Sequence, residues 1–188
     1  MTQIKLAFAG QMRAGKDTCG DYVSRKYGGE IMKFATPIYD IMYYAQKRTR
    51  KPQEKWRKFL QVVGTELFRS EDPNVWINLL VEEVKDLGPD TNVVVTDARF
   101  TNEFTILQNA GFKVIKIERD AHLREEQMEQ GHEKALEVHS SEKDVLTFDS
   151  FDAVVENNGT FDELYANIDK LIVRFSQPVG DASSVSLS

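Results

Sequence analysis

Between Ala9 and Thr18 the chain reads Gly10-Gln11-Met12-Arg13-Ala14-Gly15-Lys16-Asp17-Thr18. Two glycines five residues apart allow a tight turn whose backbone N–H groups face inward. Lys16 adds a point charge, and a helix beginning here adds its positive N-terminal end. That combination cradles a polyphosphate, so Gly10, Arg13, Ala14, Gly15, Lys16, Asp17 and Thr18 are the expected nucleotide-binding residues. The motif ordinarily places Ser or Thr directly after the lysine, as a magnesium ligand; here Asp17 intervenes. Asp17 could hold a metal-bound water or could cap the helix, where a first-turn carboxylate is favoured. Thr18 can reach an α-phosphate in either case.

A second set of reactive side chains follows an apolar run. Asn92-Val93-Val94-Val95-Thr96-Asp97 reads as a central parallel strand covered on both faces, with Asp97 at its carboxyl end and Arg99 two residues beyond. Phosphoryl transfer asks for positive charge around the transferred group and a metal bridging phosphate oxygens. Lys16 would hold β and γ oxygens, and Asp97 would anchor Mg²⁺ directly or through water, its alternative being a helix-capping carboxylate. Arg99 would fork onto a phosphate, its alternative being a pair with Glu103.

These residues need elements to carry them. Ile4, Leu6 and Phe8 alternate into a strand that ends at Gly10, residues 16–27 form a helix stopped by Gly28-Gly29, and Glu30–Phe34 forms a second strand. Pro37 suits the first turn of a helical stretch, broken around Arg50-Lys51-Pro52, that runs to Arg69 with Trp56, Phe59, Leu60, Val63 and Leu67 on one stripe. A further helix opens at Val75 and ends near Gly88-Pro89. After the Asp97 strand come a helix at 102–110, a strand at Phe112–Ile117 and a polar, helix-prone segment at 119–140 that reads as mobile. Ala153-Val154-Val155 is the fifth strand. Asn157-Asn158-Gly159 is a turn, and Thr160 with Glu163 forms a capping box for a helix to about Phe175. Residues 176–188, rich in Ser and small residues, read as a disordered tail.

Strands alternating with helices, the phosphate loop following the first, predict a doubly wound α/β fold with a five-stranded, largely parallel sheet and helices on both faces. In such a sheet ligands bind beyond the carboxyl ends of the strands, so Lys16, Ala35-Thr36-Pro37, Asp97-Ala98-Arg99 and Arg119 should converge on one crevice.

The 188 residues suit one domain, and 41% hydrophobic with 29% charged residues is ordinary for a globular chain. A formal charge of −6 argues against broad nucleic-acid affinity. The basic cluster Lys47-Arg48-Thr49-Arg50-Lys51, with Lys55, Arg57 and Lys58, is either a solvated helix end or a rim that attracts phosphorylated substrates. No apolar run approaches the roughly 20 residues of a membrane span, the first residues lack a signal-peptide pattern, and Cys19 is the single cysteine. A cytoplasmic protein with no membrane partner is expected, Cys19 serving packing. His122, His132 and His139 lack a cysteine partner or tight pairing and read as solvated rather than metal-binding. Trp56 and Trp76 read as core.

With these residues in view, the sequence resembles the bacteriophage deoxynucleoside monophosphate kinases, P-loop kinases that use ATP to convert dNMPs to dNDPs. The resemblance extends over most of residues 4–170. It rests on the Gly-Lys-Asp loop, Phe34-Ala35-Thr36-Pro37, Arg57 with Leu60-Gln61 and Gly64-Thr65, and Arg69 with Asp72-Pro73 and Trp76. Thr96-Asp97-Ala98-Arg99-Phe100 with Asn102-Glu103, His139 with Ser141-Glu142, and Asn157-Asn158-Gly159-Thr160 complete it. The resemblance implies ATP and Mg²⁺ at the loop, a helical insertion at about 37–88 for the monophosphate, and a lid at about 119–140. Arg57, Gln61, Arg69, Arg99, Phe34 and Thr36 become acceptor-site candidates. Arg119 and Arg124 become lid arginines, with pairing to Glu125 or Glu126 as their alternative. Asp17 and Asp97 become the metal-side carboxylates. The Gly-Lys-Asp loop is also similar to that of animal phosphomevalonate kinases, so another phosphorylated metabolite is an alternative acceptor, and a regulatory ATP-binding module an alternative role. Apolar surface on the insertion would support a homodimer.

Overall fold

A computed structural model of the chain describes residues 3–130 and 140–177. Strand β1 spans Lys5–Ala9, followed by α1 at Lys16–Tyr27, β2 at Glu30–Met32 and α2 at Thr36–Arg48. The insertion continues with α3 at Arg57–Gln61, a π-helical turn at Val62–Leu67, α4 at Phe68–Glu71 and α5 at Val75–Asp86. Then come β3 at Val93–Ala98, α6 at Thr101–Asn109, β4 at Lys113–Glu118 and α7 at Ala121–Gln130. Helix α8 at Ser140–Thr147, β5 at Ala153–Glu156 and α9 at Phe161–Ser176 complete the described chain. The five strands are all parallel, in the order β2-β3-β1-β4-β5.

Strand alternation builds two apolar layers. Ala7, Ala9, Val93, Val95 and Val114 point to the face covered by α2, α5, α6 and α8; Leu6, Phe8, Val94, Ile115 and Ile117 point to the face covered by α1 and α9. Val93, Val94 and Val95 are wholly enclosed. Each contributes roughly 1.5–3 kcal/mol of burial, which is why a strand with no polar interruption belongs at the sheet's centre. Cys19 packs in the second layer, and burial pushes its thiol up to about 12, so it serves as a small core residue.

The structure departs from the sequence pattern mainly in the insertion. Strand β2 stops at Met32 instead of Phe34, because the Phe34 and Ala35 N–H groups turn away from the sheet to donate to Asp97. The expected break at 50–52 extends from Thr49 to Trp56. Arg50 adopts φ 57°, and the buried amide of Gln46 bonds Glu54 twice, donating to its carbonyl at 2.7 Å and accepting from its N–H at 3.1 Å. Trp56 therefore precedes a helix rather than joining its stripe, and it is only half-buried. Trp76 is core, and its indole N–H donates to the Gly64 carbonyl inside the π turn at 2.9 Å. A long helix from 57 would bond that carbonyl internally; giving it to Trp76 accompanies the local widening to a π turn.

Helix α8 has no counterpart in the sequence reading, and it buries Val145 between the sheet and its neighbours. The segment expected to be mobile begins as helix α7; the rest, including His132 and His139, lies outside the described residues, as does the expected tail beyond Gln177. The Thr160 cap forms as expected: its hydroxyl accepts from the Glu163 N–H, while the Glu163 carboxylate accepts from the Thr160 N–H. No helix among the described residues is long and apolar enough to cross a membrane. On the insertion Tyr44, Leu67 and Leu79 expose apolar surface.

Candidate active site

The loop between β1 and α1 is shaped by its two glycines. Gly10 has φ 153°, and a Cβ there would approach the Ile117 carbonyl to 2.6 Å; Gly15 has φ 106°, and a Cβ would run into the Asn157 side chain. Both positions exclude side chains for reasons of neighbours as well as backbone. Arg13, at φ 63°, holds a left-handed conformation that arginine rarely adopts. The Lys16 ammonium folds back over the loop, donating to the carbonyls of Gly10 at 2.8 Å and Gln11 at 2.9 Å. Asn157, at the carboxyl end of β5, clamps the loop from the far side by donating its amide to the Ala14 carbonyl at 2.8 Å.

Asp17 lies in the first turn of α1, where a carboxylate is favoured, and its Oδ1 accepts from the Thr96 hydroxyl at 3.0 Å and from the Lys33 ammonium at 2.7 Å. Burial alone would raise its pKa, but Lys33, Thr96 and Lys16 outweigh burial and hold the carboxyl below its ordinary value. Asp17 is therefore an ionised group reaching from α1 toward β3 and lining the cleft.

Asp97 behaves in the opposite way. Oδ1 accepts from the Phe34 N–H at 3.0 Å and Oδ2 from the Ala35 N–H at 3.1 Å. Burial pushes its carboxyl above the ordinary value, and the two amides, Arg99 and Lys33 offset this only in part. It thus fixes the turn from β2 into α2 while still facing the cleft.

These groups line one cleft of about 540 Å³. Of the residues expected from the sequence, Arg13, Gly15, Lys16, Asp17, Thr18, Arg57, Asp97, Arg99 and Arg119 meet there. The Arg99 guanidinium forms no ion pair with Glu103. Glu103 Oε2 instead accepts from the backbone N–H groups of Arg99 at 2.6 Å and Phe100 at 3.1 Å.

Several acceptor-site candidates lie outside the cleft wall. Arg69 turns inward to pair with Glu103, Nη2 to Oε1 at 2.7 Å, and its guanidinium lies 4.7 Å from the centre of the Phe100 ring. Glu103 is buried, which raises its pKa against the pull of Arg69 and the two amides, so Arg69 compensates a carboxylate that would otherwise be stranded. Gln61 is exposed and bonds Glu66 at 3.1 Å. Phe34 is a core residue that meets the site only through its N–H, and Thr36 is exposed at the start of α2, outside the cleft wall. Gly10 and Ala14 shape the loop without facing the cleft.

Arg119 borders both this cleft and an adjoining cavity of about 280 Å³, which Arg124 also lines. The Arg119 Nε is buried with no hydrogen-bond partner, while Arg124 Nε donates to the Arg119 carbonyl at 3.0 Å. Neither pairs with Glu125 or Glu126.

Lys33, Tyr39, Lys55, Thr96, Asn157 and Phe161 also line the cleft. Lys55 belongs to the basic cluster read as a rim for phosphorylated substrates, and Thr96 and Asn157 to motifs that carry the resemblance; Lys33 stands out only by its position just beyond β2. Among the described residues no cluster of three or more His, Cys, Asp or Glu side chains could hold a metal by itself. Mg²⁺ does not need one, since it takes one or two carboxylates plus phosphate oxygens and water.

Comparison with other proteins agrees with this architecture. The deoxynucleotide monophosphate kinase family profile matches residues 49–168. A protein of Acanthamoeba polyphaga mimivirus, provisionally named a deoxynucleotide monophosphate kinase, is 25% identical over 201 residues, covering 93% of this chain and 98% of its own. The uncharacterized protein ORF77 of Ictalurid herpesvirus 1 (strain Auburn) is 31% identical over 162 residues, 83% of this chain and 69% of that one. Among solved structures, shikimate kinase from Acinetobacter baumannii superposes with a TM-score of 0.60 at 17% identity, covering 94% of this chain and 97% of that one. Dephospho-CoA kinase from Campylobacter jejuni gives 0.54 at 16%, covering 91% and 96%. At such identities these structures speak to the fold alone, which is that of the P-loop kinases.

Proposed function

The chain belongs to the deoxynucleotide monophosphate kinase family, and from that premise we propose that it transfers the γ-phosphoryl group of ATP to the phosphate of a deoxynucleoside monophosphate, giving ADP and the diphosphate. The observation that carries this reading is the convergence, in a single cleft, of the loop lysine with Arg57 from the insertion and Arg99 from the end of β3. A donor triphosphate on the loop and an acceptor phosphate on the arginines would then face each other. Little covalent chemistry is required of the protein beyond such positioning and charge.

Lys16 exchanges its two loop carbonyls for β and γ oxygens, which keeps the loop's shape with and without nucleotide. Arg99 offers a planar fork to the acceptor phosphate. The residues fit Mg²⁺: Asp17 is ionised and, among the described residues, no hydrogen bond reaches its Oδ2, and Asp97 lies in the same wall. When bound, the metal would neutralise charge between the β and γ oxygens. Residues 37–88 serve as the acceptor-binding insertion in this reading, and the segment from Arg119 as the lid that excludes water.

The test is ADP release measured across natural and modified dNMPs with ATP and Mg²⁺. ADP should form only when a dNMP is present, and turnover should depend on its base. A rate indifferent to dNMP refutes the kinase reading.

A further inference from the structure

Lys33 is a basic side chain of the cleft held by a carboxylate that the proposed reaction needs. Its Nζ lies 2.7 Å from Asp17 Oδ1, the oxygen that also accepts from Thr96. Asp97 and Asp21 add to the negative field around it. The contact is not a core ion pair: the Lys33 side chain is 42% exposed and that of Asp17 70%. Exposed pairs of this kind contribute about 0–1 kcal/mol, so stability does not explain a lysine at this point. Its position gives a better reason. Lys33 lies one residue beyond β2, before the turn that Asp97 fixes through the Phe34 and Ala35 amides, and so its backbone is held while its four-carbon stem is free to swing.

We propose that Lys33 is a catalytic lysine held in reserve on Asp17: a metal–nucleotide arriving at the loop takes over the Asp17 carboxylate, and the released ammonium turns to the phosphoryl group in transfer. This rests on the kinase reading above. One cation replaces another at Asp17, so the carboxylate is never left bare, and the Lys33 charge reaches the transferring group only when donor and metal are both in place. The phosphorus–oxygen bond to the β-phosphate breaks as a bond to the acceptor phosphate oxygen forms. The electron pair leaves with ADP, and Lys33 keeps its proton throughout.

Two consequences separate this role from a structural one. Lys33 competes with Mg²⁺ for Asp17, so Lys33→Met should bind Mg²⁺ several-fold more tightly in the enzyme·ADP complex, read by calorimetric titration of Mg²⁺ into protein saturated with ADP. The same variant should lose about 10²-fold in kcat, the typical consequence of removing one preorganised charge-stabilising donor. Its thermal midpoint should match the parent protein. Lys33→Arg should keep the competition and recover part of kcat. Mg²⁺ affinity that is unchanged or weaker in Lys33→Met overturns the proposal, as does an unchanged kcat. The calorimetric arm uses no acceptor; if the parent protein turns over no dNMP while Lys33→Met still tightens Mg²⁺, the kinase reading fails and the competition stands.

Discussion

The phosphate loop and the helical insertion face each other across the same cleft, yet they are made in opposite ways. The loop is contiguous: nine residues supply the turn, the charge and the helix end, and long-range contacts such as Asn157 to Ala14 only brace it. The insertion contributes Tyr39 from α2, Lys55 from the segment after it and Arg57 from the start of α3. Five of the loop's candidates, Arg13, Gly15, Lys16, Asp17 and Thr18, line the cleft together, whereas Gln61 and Arg69 of the insertion bond Glu66 and Glu103 away from its wall.

The sharpest way to break this contrast is at Lys16. Lys16→Ala should lower kcat by at least about 10³-fold while the protein stays folded, because the ammonium acts on phosphate charge and the loop carbonyls of Gly10 and Gln11 that it holds can turn to water. Steady-state ADP release with a far-UV melt checks both halves. Retained turnover would remove the loop from the active site.

Arg69 tests the other side. If the insertion's arginine is structural, Arg69→Met strands the Glu103 carboxylate, which is 1% exposed, and should cost about 3 kcal/mol in urea denaturation. The KM for the acceptor should stay near that of the parent protein. Glu103→Gln on the same background should restore part of the stability, since the buried charge is gone while the backbone amides of Arg99 and Phe100 keep an acceptor. A large rise in acceptor KM with little loss of stability would instead return Arg69 to the substrate.

These two residues also mark what the sequence makes legible. The β-branched run at 93–96, the glycines that allow the loop's positive φ and the Thr160 capping box are local signals, so strand order apart, much of the fold could be read from them. Asp97 and Arg99 were legible because the end of a central strand has only one place to go. Arg69 was not, because its partner is 34 positions away in the chain and the π turn resets the helical phase between Gln61 and Phe68. Lys33 and Thr96 were missed for a related reason: they are meaningful only through Asp17, with which they share no local spacing.

Arg99→Lys gives a smaller effect at the boundary of the two regions. The guanidinium makes no ion pair that lysine would break, so stability should hold, while the loss of a two-pronged contact should raise acceptor KM about tenfold. An unchanged KM would leave Arg57 as the acceptor-side cation.

The smallest effect belongs to the scaffold beneath both. Asp152 joins β4 to the start of β5, accepting from Lys113 Nζ at 2.8 Å, the Val114 N–H at 2.9 Å and Gln108 Nε2 at 3.1 Å. Burial opposes its ionisation most strongly, but these three donors together hold its carboxyl below the ordinary value. Around pH 4 the folded protein therefore carries fewer protons at Asp152 than the unfolded chain does. The stability it contributes is complete above the unfolded pKa of about 3.9 and is lost as pH falls through the lower folded value. Asp152→Asn should cost under about 1 kcal/mol at pH 7 and flatten the rise of stability with pH across the acid limb. Urea midpoints measured from pH 3 to 7 decide this; parallel curves would mean that another acid limits acid stability. Activity at neutral pH should be unchanged, because Asp152 lies at the opposite end of the strands from the cleft, and position along the strand governs function in a parallel sheet.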